Sequence, residues 1–243
     1  MTQPQHVALI AGVGDGLGGA IARRFAREGY TVVLVARSLD RLSRIASDIE
    51  GAGGRGIAYS ADIRDEEAVS KLFDDVEAQI GPISVVVFNT GANYRNSILD
   101  TPAKLFQDVW TLGCFAGFLV GREAARHMTP RGRGTILFTG ATASLRGAAN
   151  FAAFAAAKGA LRQMAQSMAR ELGPKGIHIA HIVVDGLIDS PRIRDRFPER
   201  VAAAGEDGML KPAEIAEAYI QLHHQPRSTW SFELDLRPYK ESF

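Results

Sequence analysis

The stretch LIAGVGDGLGGAIARRFAREG, residues 9–29, decides the fold of this 243-residue chain. Its glycines follow an apolar run and open an amphipathic helical pattern. Glycine lets the chain turn tightly and lets backbone N–H groups at a helix N-terminus approach a pyrophosphate. A glycine-rich turn without a ligand is the alternative. The succession of strand, turn and helix favours a dinucleotide site formed by Gly12, Gly14, Asp15, Gly16, Leu17 and Gly18.

Apolar periodicity along the rest of the chain alternates between strand-like and helix-like segments. Near-continuous Val, Ile, Leu and Phe in the first five strand-like segments predict burial on both faces, as in a parallel sheet covered by helices. We predict an α/β fold: a Rossmann-type doubly wound parallel sheet with helices on both faces, in a single domain over residues 1–243. The predicted strands are 6–12, 30–36, 55–60, 83–89, 134–140, 178–184 and 230–237, and the predicted helices are 17–28, 39–50, 66–80, 103–128, 149–172 and 212–224.

The last predicted strand, 230–237, differs from the others because apolar and polar residues alternate in it. Strict alternation predicts a half-buried strand near a sheet edge. Two interpretations remain open. The strand either invites another subunit or packs only on its own helices.

Composition and charge narrow the class of protein. The net charge of +1 gives no reason to expect a nucleic-acid partner or an acidic membrane. The one cysteine, Cys114, excludes an internal disulfide and lies in an apolar helical stretch where we expect it to pack. The N-terminal residues show no signal peptide or membrane span, which favours the cytoplasm.

The end of the second predicted strand bears on the choice of nucleotide. Dinucleotide folds often carry an acidic residue about 20 residues after the glycines, where it binds the adenosine ribose. Here the strand ends with Ala36, Arg37 and Ser38. A guanidinium can hold a 2′-phosphate bidentately, so Arg37 favours NADP, with NAD as the alternative cofactor. Arg37 could equally be a solvated arginine at a helix start.

Taken with later motifs, these residues resemble the short-chain dehydrogenase/reductase family over nearly the whole chain. Gly12-x-x-x-Gly16-x-Gly18 is similar to its cofactor motif. Ala61 and Asp62, followed by Ile63, look like the segment under the adenine. Asn89, Thr90 and Gly91 resemble the Asn-Asn-Ala-Gly motif after the fourth strand. VVDGLIDS resembles the Pro-Gly motif at the nicotinamide, with Gly186 and Ile188 in place and Asp185 where proline is usual.

The resemblance implies a seven-stranded sheet, bound NAD(P)(H), a small-molecule substrate, and homodimers or homotetramers built on the helices near 103–128 and 149–172. It also supplies an argument against strict NADP preference. NADP-using relatives often carry a basic residue before Gly16, whereas here that residue is Asp15, whose charge would repel a phosphate.

The family's catalytic centre is only partly present. It has a tyrosine, a lysine four residues later, a serine about a dozen residues before the tyrosine, and an asparagine on the preceding long helix. Lys158 matches the lysine, but the tyrosine position is Phe154, and the position used by the related enoyl reductases is Phe151. The serine position falls at Ala141 beside Thr142, and the asparagine position falls at Gly113. We expect Lys158 to bind the nicotinamide ribose; a lysine snorkelling from a packed helix is the alternative.

Three side chains are candidates for the missing acid chemistry. Thr142 can orient a carbonyl. Tyr94 follows the Asn89 motif in a loop that should border the pocket, or else it is a surface tyrosine. Asp185 could carry a raised pKa and donate a proton if it were desolvated beside the cofactor, or else it is a turn aspartate before Gly186. None of these alternatives is decided by the sequence.

Two other sequence patterns give weaker evidence about function. His178 and His181 are three apart in a strand and should face opposite sides, so we expect no metal site. The polar segment 189–200 carries four arginines and resembles the family's mobile substrate lid. It is either a contact for an anionic substrate or a solvated charged helix.

These features lead to two functional hypotheses. The first is an NADP(H)-dependent oxidoreductase of the short-chain type that acts on a carbonyl or alcohol with a degenerate catalytic centre. The second is a catalytically weak or inactive NADP-binding sensor or assembly protein, because the catalytic hydroxyl groups are missing.

Overall fold

A computed structural model describes residues 6–241 of the chain. It contains one sheet of seven parallel strands in the order β3-β2-β1-β4-β5-β6-β7, with helices on both faces. The predicted doubly wound α/β fold is therefore confirmed. The strands are β1 Val7–Ala11, β2 Thr31–Ala36, β3 Arg55–Ser60, β4 Ile83–Phe88, β5 Gly134–Thr139, β6 Ile177–Val184 and β7 Glu233–Leu236.

Alternate side chains of the strands enter two separate cores, one on each face of the sheet. One core includes Phe25 and Tyr219 from the helices on its side, and the other includes Phe73 and Leu161. Because β1, β4 and β6 lie inside the sheet, almost all of their residues are buried, as their continuous apolar sequences predict. The helices are α1 Leu17–Arg27, α2 Leu39–Gly51, α3 Glu66–Gln79, α4 Ala103–Trp110, α5 Ala116–Met128, α6 Ala152–Leu172, α7 Pro191–Arg196, α8 Pro198–Ala204 and α9 Pro212–His223.

The helix predicted over 103–128 is interrupted. A π-helical turn, Thr111–Phe115, separates α4 from α5. Gly113 in this turn packs so closely on α6 that an added Cβ would lie 2.9 Å from the Cβ of Ala157. A π-turn changes the angle between successive side chains, so the faces of α4 and α5 do not follow one continuous 3.6-residue period.

The two edge strands also differ from prediction. β3 has only one buried residue, because it forms one edge of the sheet; the prediction of burial on both faces was wrong for it. β7 forms the other edge and is half-buried as predicted, but it begins at Glu233 instead of residue 230. The side chain of Gln225 binds both the amide and the hydroxyl of Ser231, which holds this residue in a turn.

The sheet topology places the candidate site. The strand order reverses between β1 and β4, and a crevice opens there at the carboxyl ends of the strands, where open α/β sheets bind their ligands. The loops after β1, β4, β5 and β6 carry the residues singled out in the sequence. None of the helices within residues 6–241 combines the length and apolar content needed to cross a membrane.

Candidate functional site

The glycine loop after β1 forms a cradle of bare backbone. Gly12 has a φ of +97°, and a Cβ there would lie 2.4 Å from the carbonyl oxygen of Asn89. A Cβ on Gly18 would lie 2.4 Å from the carbonyl oxygen of Gly12, so α1 and the loop pack backbone to backbone. Gly14 and Gly16 are less crowded, because the nearest atoms, from the side chains of Arg41 and Ser190, lie 3.7 Å from a virtual Cβ. The cradle leaves room for a diphosphate at the first turn of α1, where Leu17 is buried.

The Asn89 side chain ties this cradle to the next loop. Its amide donates to the carbonyl of Gly12 across 3.1 Å, which joins the ends of β1 and β4. The hydroxyl of Thr90 donates to the carbonyl of Leu112 in the π-helical turn at 3.1 Å. Asn89 and Thr90 therefore hold the loops that border the cradle.

Three arginines surround the adenosine end of the cradle, where the sequence indicated only Arg37. Arg37 is exposed, and its carbonyl accepts a hydrogen bond from Ser60 at 3.1 Å. The Arg41 guanidinium lies 3.7 Å from a virtual Cβ on Gly14. Arg44 lies 3.8 Å from the carboxylate of Asp15 and offsets its charge. Arg41 and Arg44 are three residues apart in α2 and lie on one face of that helix, whereas Arg37 precedes the helix.

Ser38 and Asp62 complete this end of the groove. Ser38 precedes α2 at its N-cap position, but its side chain makes no capping hydrogen bond. Asp62 forms a two-point ion pair with Arg64, whose closest atoms are 2.5 Å apart, and this hydrogen bonding lowers the pKa of the Asp62 carboxyl. Ile63 beside it is buried. The segment presents a charged pair to the groove, and Arg64 was missed in the sequence.

Lys158 is buried, with 4% of its surface exposed, so the snorkelling interpretation was wrong. Its ammonium donates to the carbonyls of Thr90 at 2.8 Å and Thr139 at 2.7 Å. Burial lowers the pKa of Lys158 to about 8. Gly91 packs closely against the ammonium, because a Cβ there would lie 3.2 Å from Nζ and 3.6 Å from the ring of Phe154. Lys158 and Phe154 therefore both lie against Gly91.

Cys114, and not Gly113, carries the side chain that faces Lys158 from the long helix. The absent side chain of Gly113 faces Ala157, whereas the Cys114 thiol interacts electrostatically with Lys158. Burial raises the pKa of the Cys114 thiol, while the nearby lysine opposes that shift. Gly113, the predicted asparagine position, lies in the same π-helical turn and packs against Ala157, the neighbour of Lys158. Cys114 packs as predicted, but it packs beside the candidate catalytic lysine.

Thr142 and Asp185 form one buried unit. The Thr142 hydroxyl donates to the Asp185 carboxylate, so it cannot donate the same proton to a carbonyl. Asp185 is fully buried, and guanidinium nitrogens of Arg146 and Arg237 lie 3.4 Å and 3.9 Å from its carboxylate. Asp185 follows β6 directly and precedes the bend at Gly186, but its side chain is buried. The carboxylate serves as an acceptor for these groups, and Arg146 and Arg237 were missed in the sequence.

The remaining predicted site residues lie around the same crevice. Gly186 has a φ of +144°, and a Cβ there would lie 2.8 Å from Cδ of Pro238. Ile188 pairs with Leu210 in a short parallel bridge. Tyr94 is 51% exposed in the loop after β4. His178 and His181 are both buried on β6. Among the residues described, no group of three His, Cys, Asp or Glu side chains is placed to hold a metal ion.

The sequence profile described as short chain dehydrogenase matches residues 6–200. The chain belongs to the short-chain dehydrogenase family. It is 30% identical to meso-2,3-butanediol dehydrogenase of Serratia marcescens over 217 residues, which is 86% of this chain and 84% of that one. Its relatives in this family are dehydrogenases and reductases, so the chain belongs to a family of oxidoreductases.

Solved structures of short-chain dehydrogenases match the architecture. One from Rhodopseudomonas palustris is 45% identical, with a TM-score of 0.83 over 96% of this chain and 99% of that one. An alcohol dehydrogenase from Thermococcus sibiricus, complexed with 5-hydroxy-NADP, is 26% identical, with a TM-score of 0.84 over 98% of each chain. The latter supports use of a nicotinamide cofactor by proteins of this fold.

Proposed function

We propose that this protein is an NADP(H)-dependent oxidoreductase that acts on a small carbonyl or alcohol substrate. The observation that carries the proposal is the glycine loop from Gly12 to Gly18, which packs backbone to backbone at Gly12 and Gly18 and opens α1 at the carboxyl end of β1. The residues that would hold the cofactor are the cradle amides for the diphosphate and Lys158 for the ribose beside the ring. When bound, the cofactor supplies hydride transfer, which no side chain of the protein can perform.

Charge at the adenosine end supports NADP over NAD. Ala36 leaves no carboxylate at the end of β2, while Arg37 and Arg41 provide guanidinium groups near the groove. Asp15, the residue that argued against a phosphate, lies close enough to Arg44 for its charge to be offset. A 2′-phosphate would therefore meet a positive surface.

Lys158 is the group we assign to the proton step. Phe154 and Phe151 carry no hydroxyl, and the Thr142 hydroxyl is already donated to Asp185. The ammonium of Lys158 donates two N–H groups to the carbonyls of Thr90 and Thr139 and lies against Gly91, with its third N–H left for a ligand. A pKa of about 8 lets it give up or take a proton near neutral pH.

A second candidate function is cofactor binding without turnover, as in a sensor. It is favoured by one specific observation: the side chains next to Lys158 are Phe154 and Cys114, and neither carries the hydroxyl or the amide that the family's tyrosine and asparagine provide. Isothermal titration with NADPH and NADH tests the cofactor, and oxidation of NADPH with a panel of carbonyl compounds tests turnover. Binding with no turnover above background would leave the sensor function.

We also propose that a second copy of the chain covers the outer face of α4 and α5. Phe106, Trp110 and Phe118 remain between 37% and 39% exposed there, and the rings of Trp110 and Phe115 stack with centroids 6.4 Å apart. Such an aromatic stripe is typical of a subunit interface. Light scattering on the wild type and on Phe118→Glu tests it. A monomeric wild type would contradict the proposal.

A further inference from the structure

A pocket of about 520 Å³ lies between the carboxyl ends of the strands, helix α8 and the C-terminal tail. Its inner wall includes Thr142, Phe151 and Gly186 from the loops after β5 and β6 and from the start of α6. Its outer wall includes Arg200 of α8 and Lys240 of the tail. Taking this cavity as the substrate pocket rests on the proposed function.

Packing fixes the tail against this pocket. Pro238 is buried and touches the backbone of Gly186, and the amide of Glu241 donates to the Pro238 carbonyl at 3.0 Å to form a turn. The ammonium of Lys240 donates to the carbonyl of Glu206 at 3.2 Å. Lys240 is therefore held at the outer wall of the pocket by contacts at both ends of its side chain.

The two cations of the outer wall are not neutralised by ion pairs. Arg200 lies over the ring of Phe197, 5.8 Å from its centroid, and Lys240 binds a backbone carbonyl. Across residues 6–241, neither makes an ion pair with a carboxylate. Glu241 is the one acidic residue among the lining residues, and its single charge is exceeded by the two cations.

The charges behind the inner wall do not alter this balance. Asp185 is fully buried beneath the pocket, and it is paired with Arg146 and approached by Arg237. Its negative charge is thus offset within its own unit. A concave wall with a net positive charge concentrates anions.

The rest of the lining, apart from Asn93 and Gly208, is apolar. Phe151, Leu187, Ala203 and Ala204 contribute to the wall between the inner and outer ends. An apolar surface with polar groups at its ends selects a ligand whose body is apolar and whose charge is at one end.

We propose that this pocket binds a carbonyl or alcohol substrate that carries an oxyanion, with Arg200 and Lys240 as the groups that recognise it. A carboxylate and a phosphate ester share this chemistry. The oxyanion binds at the outer wall, and the apolar body directs the reacting carbon towards Thr142 at the inner wall.

Calorimetric titration of the protein with 4-carboxybenzaldehyde tests the proposal, with methyl 4-formylbenzoate as the uncharged counterpart and 4-formylphenyl phosphate as the phosphate ester. We expect the carboxylate to bind at least about tenfold more tightly than the methyl ester, and to weaken as salt is added. The phosphate and carboxylate arms show which oxyanion is preferred.

Variants separate the roles of the two cations. Arg200→Gln and Lys240→Gln should each weaken anion binding about tenfold while leaving ester binding unchanged. Arg196→Gln is the matched control, because Arg196 lies 5.3 Å from the centroid of the same Phe197 ring but does not line the pocket. Circular dichroism and melting curves confirm that each variant folds.

The titrations are performed with and without NADP⁺, so that anion selectivity is measured whether or not the cofactor binds. Equal affinity for the acid and the ester, no measurable heat from either anion at millimolar concentration, or an equal loss in Arg196→Gln would each overturn the proposal. Failure of NADP⁺ to bind in its own titration would instead contradict the proposed function.

Discussion

Restoring a hydroxyl at position 154 should raise carbonyl reduction. The Phe154 ring and the Lys158 ammonium both lie against Gly91, so the phenol of Phe154→Tyr would lie near a buried cation. A tyrosine has a pKa of about 10, and a nearby ammonium favours its ionised form, which brings the proton into a useful range. The phenol would then add a second proton donor beside Lys158, the group assigned to the proton step in the wild type.

The size of the gain follows from what else is missing. A positioned general acid contributes about 10²–10⁴ in rate, or roughly 3–5 kcal/mol. Ala141 carries no hydroxyl to bind the same substrate oxygen, and the loss of one hydrogen bond to a charged group costs about 1.5–3 kcal/mol. We therefore expect Phe154→Tyr alone to raise kcat/KM about 10- to 100-fold, and Phe154→Tyr with Ala141→Ser to raise it by about another factor of ten.

The assay is NADPH oxidation with a panel of carbonyl compounds, with NADPH affinity measured separately by calorimetry. Phe154→Tyr combined with Lys158→Met is the control, because it keeps the hydroxyl and removes the ammonium, and its gain should vanish. An unchanged kcat/KM in Phe154→Tyr, with NADPH bound as in the wild type and the melting temperature preserved, would refute the assignment of this point as the reaction centre.

Three further predictions concern the cradle, the nucleotide and the lysine. Gly12→Ala should lower the melting temperature and weaken NADPH binding at least about tenfold, because the new Cβ would lie 2.4 Å from the carbonyl oxygen of Asn89 and φ at this residue is +97°. Gly51→Ala is the control: no atom lies within 4 Å of its new Cβ, so neither the melting temperature nor NADPH binding should change. Arg37→Ala should weaken NADPH binding about tenfold in calorimetry and leave NADH unchanged; equal losses would contradict a 2′-phosphate contact. Burial lowers the pKa of Lys158 from 10.5 to about 8, so between these pH values the unfolded protein binds more protons at this residue than the folded protein does. In urea unfolding of the apo protein, the stability of the wild type relative to Lys158→Met should therefore rise as the pH increases from about 8 to 10.5. A stability difference that does not change with pH would contradict the effect of burial.

Elements with a strong local pattern could be predicted from the sequence, while their ends could not. β1 is buried throughout, as its apolar run requires, and α1 begins at Leu17 as predicted. β7 was predicted too long because its alternation continues through Trp230 and Ser231, yet the Gln225 side chain holds Ser231 in a turn. This hydrogen bond between the Gln225 side chain and the Ser231 backbone forms only in the folded protein, so the periodicity of the sequence does not predict it.

The same limit applies to the candidate site. Gly113, the predicted asparagine position, packs on α6 within a π-turn, and residue counting could not show that the thiol of its neighbour Cys114 interacts with Lys158. Asp185 had two open interpretations, a proton donor beside the cofactor and a turn residue before Gly186. Its burial depends on Thr142, Arg146 and Arg237, which come from separate segments and meet only after folding.

The buried ammonium of Lys158 destabilises the folded protein, and the same group is the one we expect to bind the cofactor. Burial disfavours the ammonium, as its lowered pKa of about 8 records, and within residues 6–241 its hydrogen-bond acceptors are the carbonyls of Thr90 and Thr139. An ammonium has three N–H groups, so a ribose hydroxyl that approached Nζ would find a donor still to be satisfied. Cofactor binding should therefore offset part of the cost of burying this charge. If Lys158 had only a packing role, ligand binding would not stabilise it. If it holds a ribose, a ribose hydroxyl accepts its remaining N–H and stabilises the buried ammonium.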